Sequence, residues 1–234
     1  MAIDYRDREF RSFRDRDSGA VFSDIEFQRC RFVSCALSIT FDPALRTTIR
    51  NIRLLDCSQV GCSLYPAIVE DVLIDGFDTD GQTVHTWGAV FNRVVLRGKI
   101  GRVMISSVVD VFGKSPEVQK AFDEANAKYY GGVELALDIS QASFKELDLE
   151  RSGVPARLIR RDPETQVVVT REKALGGEWR DLPLNERLWN VTLDLFLQRN
   201  SPDVVLVAPK LHPKFRRYLA DLKLLQAAGV AEPD

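Results

Sequence analysis

The sequence predicts a mainly β fold: a parallel β-solenoid of about five coils, with a helical insertion and an α/β C-terminal capping region. Three observations predict it. One apolar phrase returns five times along the chain. The residues around each copy are β-branched or aromatic and alternate over short stretches. The clearest helical patterns fall outside the copies, at 115–130 and after Lys214.

The phrase is apolar, two polar, apolar, any, apolar. It reads Phe22-Ser-Asp-Ile25-Glu-Phe27, then Ile49-Arg-Asn-Ile52-Arg-Leu54, then Val69-Glu-Asp-Val72-Leu-Ile74. It returns as Phe91-Asn-Arg-Val94-Val-Leu96 and as Phe144-Lys-Glu-Leu147-Asp-Leu149. The first four copies are 27, 20 and 22 residues apart, too close for a helix pair and suited to one strand–turn–strand coil. Phe22–Leu37 and Ile49–Leu64 coincide without a gap, cysteines included. Each unit carries an apolar face that only a stacked neighbour can cover. The expected consequence is one interior column of Ile25, Ile52, Val72, Val94 and Leu147.

Within the first copy Phe22, Phe27, Phe32 and Leu37 recur every five residues, and Ala20, Ile25, Cys30 and Cys35 sit two positions before them. A large apolar residue with a smaller one two earlier, every five residues, resembles the pentapeptide-repeat proteins. The resemblance implies a right-handed, roughly square parallel β-helix of about four pentapeptides per coil. It is good over 20–38 and partial over 49–64. Over 68–110 only the coil-length period survives, and after about residue 155 nothing does.

Residues 1–19 alternate Arg and Asp around Tyr5, Phe10 and Phe13 and form an N-terminal lead-in or cap, either a frayed first coil or a solvated segment. The solenoid is expected over 20–152, with 38–47 inserted between its first two copies. At 115–130, Ser115 suits an N-cap, Pro116 the first helical position and Glu117 the dipole. Val118, Phe122, Ala125 and Tyr129 give that helix one apolar face, and Gly131-Gly132 stop it. Residues 153–234 read as an α/β cap or small appended domain. There Arg157–Val169 suggests a hairpin around Asp162-Pro163-Glu164-Thr165. Residues 184–199 fit a strand or, slightly better, a buried helix. Val204–Val207 suits a short buried strand. Phe215, Tyr218, Leu219, Leu222 and Leu225 mark an amphipathic helix closed by Gly229. Such a region would cover the unpaired strand edges and apolar cross-section of an open solenoid end.

The chain's 234 residues carry a net charge of −2, with 45% hydrophobic and 28% charged residues. That composition excludes wholesale disorder and argues against a strongly basic nucleic-acid binder. No apolar run is long enough to span a membrane, and the N-terminus lacks a secretory h-region, so the expectation is a soluble, cytoplasmic protein. Residues 151–234 hold 14 basic and 11 acidic side chains, which leaves the repeat half at −5.

Cys30, Cys35, Cys57 and Cys62 form two C-x4-C pairs and so are candidate zinc ligands. The competing reading is that the coil needs small apolar side chains at these equivalent positions. Asp75, Asp78 and Asp80 with Gly81 resemble part of a calcium loop, but Gly76 and Trp87 occupy the first and last ligand positions. Asp78, Asp80 and His85 are candidate acid–base residues on the solenoid flank, against a simpler reading of His85 as an exposed turn residue. Asp75, Asp78, His85, Trp87 and Arg93 are the candidate binding residues. His212 reads as loop. No nucleotide, hydrolase-elbow or zincin motif is present, and no cofactor is expected.

The leading functional expectation is a non-enzymatic protein-binding solenoid, such as a bacterial immunity or inhibitor protein that occludes a toxin or enzyme. The alternative is a β-helix enzyme acting on a carbohydrate or other polymer. A second alternative is topoisomerase protection by DNA mimicry, which the quinolone-resistance members of the pentapeptide family provide; the basic C-terminal region dilutes the acidity this needs. The expected partner is another protein. A symmetric dimer through the C-terminal region stays open, because the pattern does not set the burial of Trp179, Trp189 and Phe196.

Overall fold

The computed structural model describes residues 3–109, 115–185, 187–199 and 201–232. Glu186, within the ambiguous 184–199 stretch, lies outside them. The structure is mainly β, and one large, mostly parallel sheet curls through 247° into an open half-barrel. The chain adds to this sheet pass by pass. The first pass is β1 (Ile3–Arg6), β2 (Glu9–Arg11) and β3 (Arg14–Arg16). The second is β4 (Val21–Gln28), β5 (Arg31–Val33) and β6 (Ala36–Ile39). β7 (Thr48–Val60) and β8 (Ser63–Leu64) form the third, and β9 (Ile68–Asp78) and β10 (Thr83–Trp87) the fourth. β11 (Val90–Asn92) and β12 (Val94–Ser106) form the fifth. After helix α1 (Pro116–Tyr130), β13 (Leu137–Arg151) and β14 (Ile159–Arg160) complete the sheet.

The repeated phrase is the register of this sheet. Phe22, Ile49, Val69 and Phe91 pair in succession, and so do Phe27, Leu54, Ile74 and Leu96. Ile25, Ile52 and Val72 align between them. The fifth copy departs from the expected column. Leu147 pairs with Val103, and Leu137 is the residue beside Val94. The cause is strand length: β12 and β13 are long and pair along both halves, and the phrase Phe144–Leu149 falls in the second half. The first pass is also in register, with Ile3 on Ile25 and Phe10 on Phe32. Its rings stack on the second pass, Tyr5 on Phe27 and Phe10 on Phe32, each pair at 5.4 Å.

Within each of the first two passes, backbone corners fall every five residues. Asp7, Ser12 and Asp17, then Asp24, Arg29 and Ser34, all adopt positive φ. Short polar side chains tolerate this region because they hydrogen-bond locally. The interior is apolar, with Ile100, Leu137, Ile139 and Phe144 fully buried.

The hairpin expected at 157–169 does not form. Its turn is present, with the Gln166 amide donating to the Asp162 carbonyl at 2.9 Å. The flanking strands diverge, however: Ile159 of β14 extends the large sheet beside Leu137, while β15 (Gln166–Thr170) pairs antiparallel with β16 (Asp203–Val207). The apolar edge of β13 and the buried valines of β16 each claim one arm. Around this small sheet pack α2 (Arg171–Gly176), α3 (Leu188–Leu197) and α4 (Phe215–Ala227). Most of the ambiguous 184–199 stretch is thus helix. Trp179, Trp189 and Phe196 are buried in this second core, so they offer no surface to a second copy.

Helix α1 is pinned by Phe122, which is fully buried, with the Arg46 guanidinium 4.6 Å from its ring centroid. Among the described residues no helix is long and apolar enough to cross a membrane.

Candidate functional site

The candidate carboxylates are engaged by cations from separate passes. Asp75 on β9 receives the Arg97 guanidinium at 2.8 and 2.9 Å. Asp78 accepts the Asp80 amide at 3.1 Å and faces the Lys145 ammonium at 3.8 Å. Asp80 turns toward Arg31 at 3.9 Å. Among the described residues no three His, Cys, Asp or Glu gather as a metal site.

His85 is not an exposed turn residue. It lies within β10, held between β8 and β12, with Ser63 and Met104 as register partners. Its ring lies parallel to Trp87 at 5.2 Å and 5°. Residues two apart on a strand share a face, and here the two half-buried rings stack on each other. The His85 Nδ1 is enclosed there without a hydrogen-bond partner. The contacts of Asp75, Asp78, Asp80 and His85 therefore lead to different neighbours.

Arg93 grips Asp71 by two hydrogen bonds of 2.5 and 2.7 Å. It belongs to a ladder that sequence reasoning missed. Asp7–Arg29, Asp71–Arg93, Asp75–Arg97 and Asp138–Arg160 each join residues 22 apart across adjacent passes. Hydrogen bonding from Arg29 holds the Asp7 carboxyl below its ordinary range, and Arg93 does the same for Asp71. The signal was an acidic residue followed by Arg at the coil period.

The thiols run to backbone carbonyls. Cys30 and Cys57 donate to Tyr5 and Phe27 at 3.4 Å, and Cys35 to Phe10 at 3.5 Å. Cys62 is 3.7 Å from the Val60 carbonyl and accepts the Cys35 amide at 3.3 Å. Burial pushes Cys57 up to about 11 and Cys62 upward as well, which disfavours the thiolate that a metal requires.

A cleft of 710 Å³ opens elsewhere, among the end of β13, the start of α1, Arg199 and residues 201–203. Glu150 and Arg199 form a half-enclosed ion pair on its wall. Burial pushes both Glu150 and Asp203 upward, although Asp203 accepts the Ala156 amide at 3.1 Å. No motif marks this cleft, because its walls lie far apart in sequence.

Compared with protein-family models, with curated proteins and with solved structures, the chain matches none.

Proposed function

We propose that the chain is a pentapeptide-like, right-handed β-solenoid of about five coils, closed by its C-terminal α/β region, that acts in the cytoplasm as a non-enzymatic protein-binding scaffold. Occlusion of a toxin or enzyme, as by an immunity or inhibitor protein, is the use that suits such a scaffold. The in-register stacking of the repeated phrase carries the reading. It fixes the backbone of the outward face, so a partner meets a surface that needs little ordering on binding. The stacked, half-buried rings of His85 and Trp87 supply an aromatic contact on that face, and Trp is the kind of residue that concentrates binding energy.

The test is capture from native lysate across a salt series with the wild-type chain and the His85→Ala/Trp87→Ala variant. The expected result is a discrete protein retained by the wild type and lost from the variant. Recovery of nothing above a tag-only control overturns the reading.

A further inference from the structure

The sheet's cross-pass ion pairs have a direction. In Asp7–Arg29, Glu9–Arg31, Glu26–Arg53, Asp71–Arg93, Asp75–Arg97 and Asp138–Arg160 the carboxylate lies on the earlier pass and the arginine on the next. Between adjacent passes only Arg102–Glu146 runs the other way among the described residues. Arginines on one pass therefore reach back to an acidic strand before them.

On the first pass that demand is unmet. Arg6 and Arg11 turn to Asp4 and Glu9 of their own pass. Arg8, Arg14 and Arg16 are exposed and make no side-chain hydrogen bond or ion pair among the described residues. The acidic groups on this pass are largely engaged. Asp7 and Glu9 face Arg29 and Arg31, and Asp15 is buried against Thr47 and the Ser38 amide. Asp17 is the exposed acid left over. The exposed, unpaired charged side chains on this edge are thus three arginines against one aspartate.

The same edge is open. β1 and β3 terminate the pairing order of the sheet, and β2 pairs only with β5. Ile3, Phe13 and Val21 are 51%, 47% and 57% exposed on or beside it. Open edges of this kind are templates for strand addition.

We propose that the outer edge of β1, β2 and β3 receives an acidic segment of a partner protein that turns with the same corners and adds one more pass to the sheet. Its carboxylates meet Arg8, Arg14 and Arg16, and its apolar residues cover Ile3 and Phe13. A second copy joined edge to edge would set the same arginines against each other, so like-charge repulsion opposes that occupant. The inference rests on the protein-binding reading and names the docking place and the partner's chemistry.

The experiment uses the full chain and a fluorescein-labelled peptide of alternating Asp and Val, with Gly at the corner positions and as long as the first pass, read by fluorescence anisotropy. Three controls accompany it: the Lys-for-Asp peptide, an Asp peptide N-methylated at alternate residues, and the Arg8→Glu/Arg14→Glu/Arg16→Glu chain. The expected result is saturable binding of the Asp peptide that weakens with salt. The arginine variant should lose about tenfold or more, and the other two peptides should not bind. No saturable binding overturns the proposal, as does equal binding to the variant. Undiminished binding of the N-methylated peptide shows charge attraction without strand pairing and overturns it too. So does a dimer in sedimentation velocity that the arginine variant abolishes, because a second copy then holds the edge. If the peptide fails while the His85→Ala/Trp87→Ala variant still loses a lysate partner, only the docking place falls and the scaffold reading stands.

Discussion

Arg93 and Asp71 occupy stacked corners of adjacent passes, both at positive φ (53° and 54°), and Arg93 holds the Asp71 carboxylate by two hydrogen bonds. Arg29 over Asp7 repeats the arrangement, and Asn51 over Asp24 does so with an amide. A left-handed corner costs a non-glycine residue roughly 1–2 kcal/mol. The cross-corner hydrogen bonds offset part of that cost. They also explain how arginine is tolerated at a position that favours glycine or short polar residues.

Two substitutions at Arg93 separate these effects. Arg93→Gly removes the ion pair but relaxes the corner, and should leave stability nearly unchanged, because an exposed pair contributes little. Arg93→Ala removes the pair and keeps a strained Cβ, so it should cost about 1 kcal/mol more than glycine does. Urea denaturation of both variants checks the order; alanine equal to or better than glycine contradicts the corner argument.

The pH dependence has two opposing parts. Asp7, Asp24 and Asp71 have folded-state pKa values below the ordinary 3.8, chiefly through hydrogen bonds from Arg29, Ser23 and Arg93 respectively. Their contribution is present above the ordinary value and is lost as pH falls through the depressed one. Asp203 is shifted upward by burial, so between 3.8 and its raised value the folded state binds the proton more tightly. In that window this residue makes stability fall as pH rises. Asp203→Asn keeps an oxygen for the Ala156 amide and removes the titration. The variant should be more stable than wild type at neutral pH and lack that component of the slope. An unchanged pH profile in thermal melts rejects the assignment.

The repeated phrase was legible because its apolar positions are the residues that the sheet sets side by side. Phe22, Ile49, Val69 and Phe91 needed only the right offset to be found. Leu147 was misplaced because an apolar pattern does not say which half of a long strand it lies on, and β12 offers two. His85 was read as a turn because Asp78, Asp80 and Gly81 precede it. Its strand identity comes from β8 and β12, which a local pattern does not contain. The wall joining Glu150 to Arg199 was invisible for a related reason: their contact spans 49 residues and depends on where β13 ends.

The attachment of α1 gives a sharper contrast between charge and packing. Arg46 is buried with its Nε unpartnered, and burial lowers its pKa to about 10. Its contacts are the Phe122 ring and the Asn126 side chain. Replacing a buried charge by an apolar side chain of similar size is often neutral or stabilising, so Arg46→Met should lie within about 1 kcal/mol of wild type. Phe122→Ala should cost about 3–5 kcal/mol and speed hydrogen exchange across Pro116–Tyr130. If Arg46→Met proves as damaging as Phe122→Ala, the cation and not the ring anchors the helix.

Gly101 tests how closely the passes approach. A Cβ at this position would come within 2.2 Å of the Thr79 Oγ1 and 2.8 Å of its Cβ. Thr79 is fully buried and its hydroxyl accepts the Arg102 amide at 3.0 Å, so it cannot swing aside without leaving that donor unsatisfied. Gly101→Ala should therefore destabilise by about 1–3 kcal/mol, as overpacking does in a close-packed interior. Thr79→Gly removes every atom in the clash at its own cost in lost hydrogen bonding. If the contact is the cause, the double variant is less damaged than the two single losses summed, by about 0.5 kcal/mol or more. Strict additivity in chemical denaturation would place the effect of Gly101→Ala elsewhere than against Thr79.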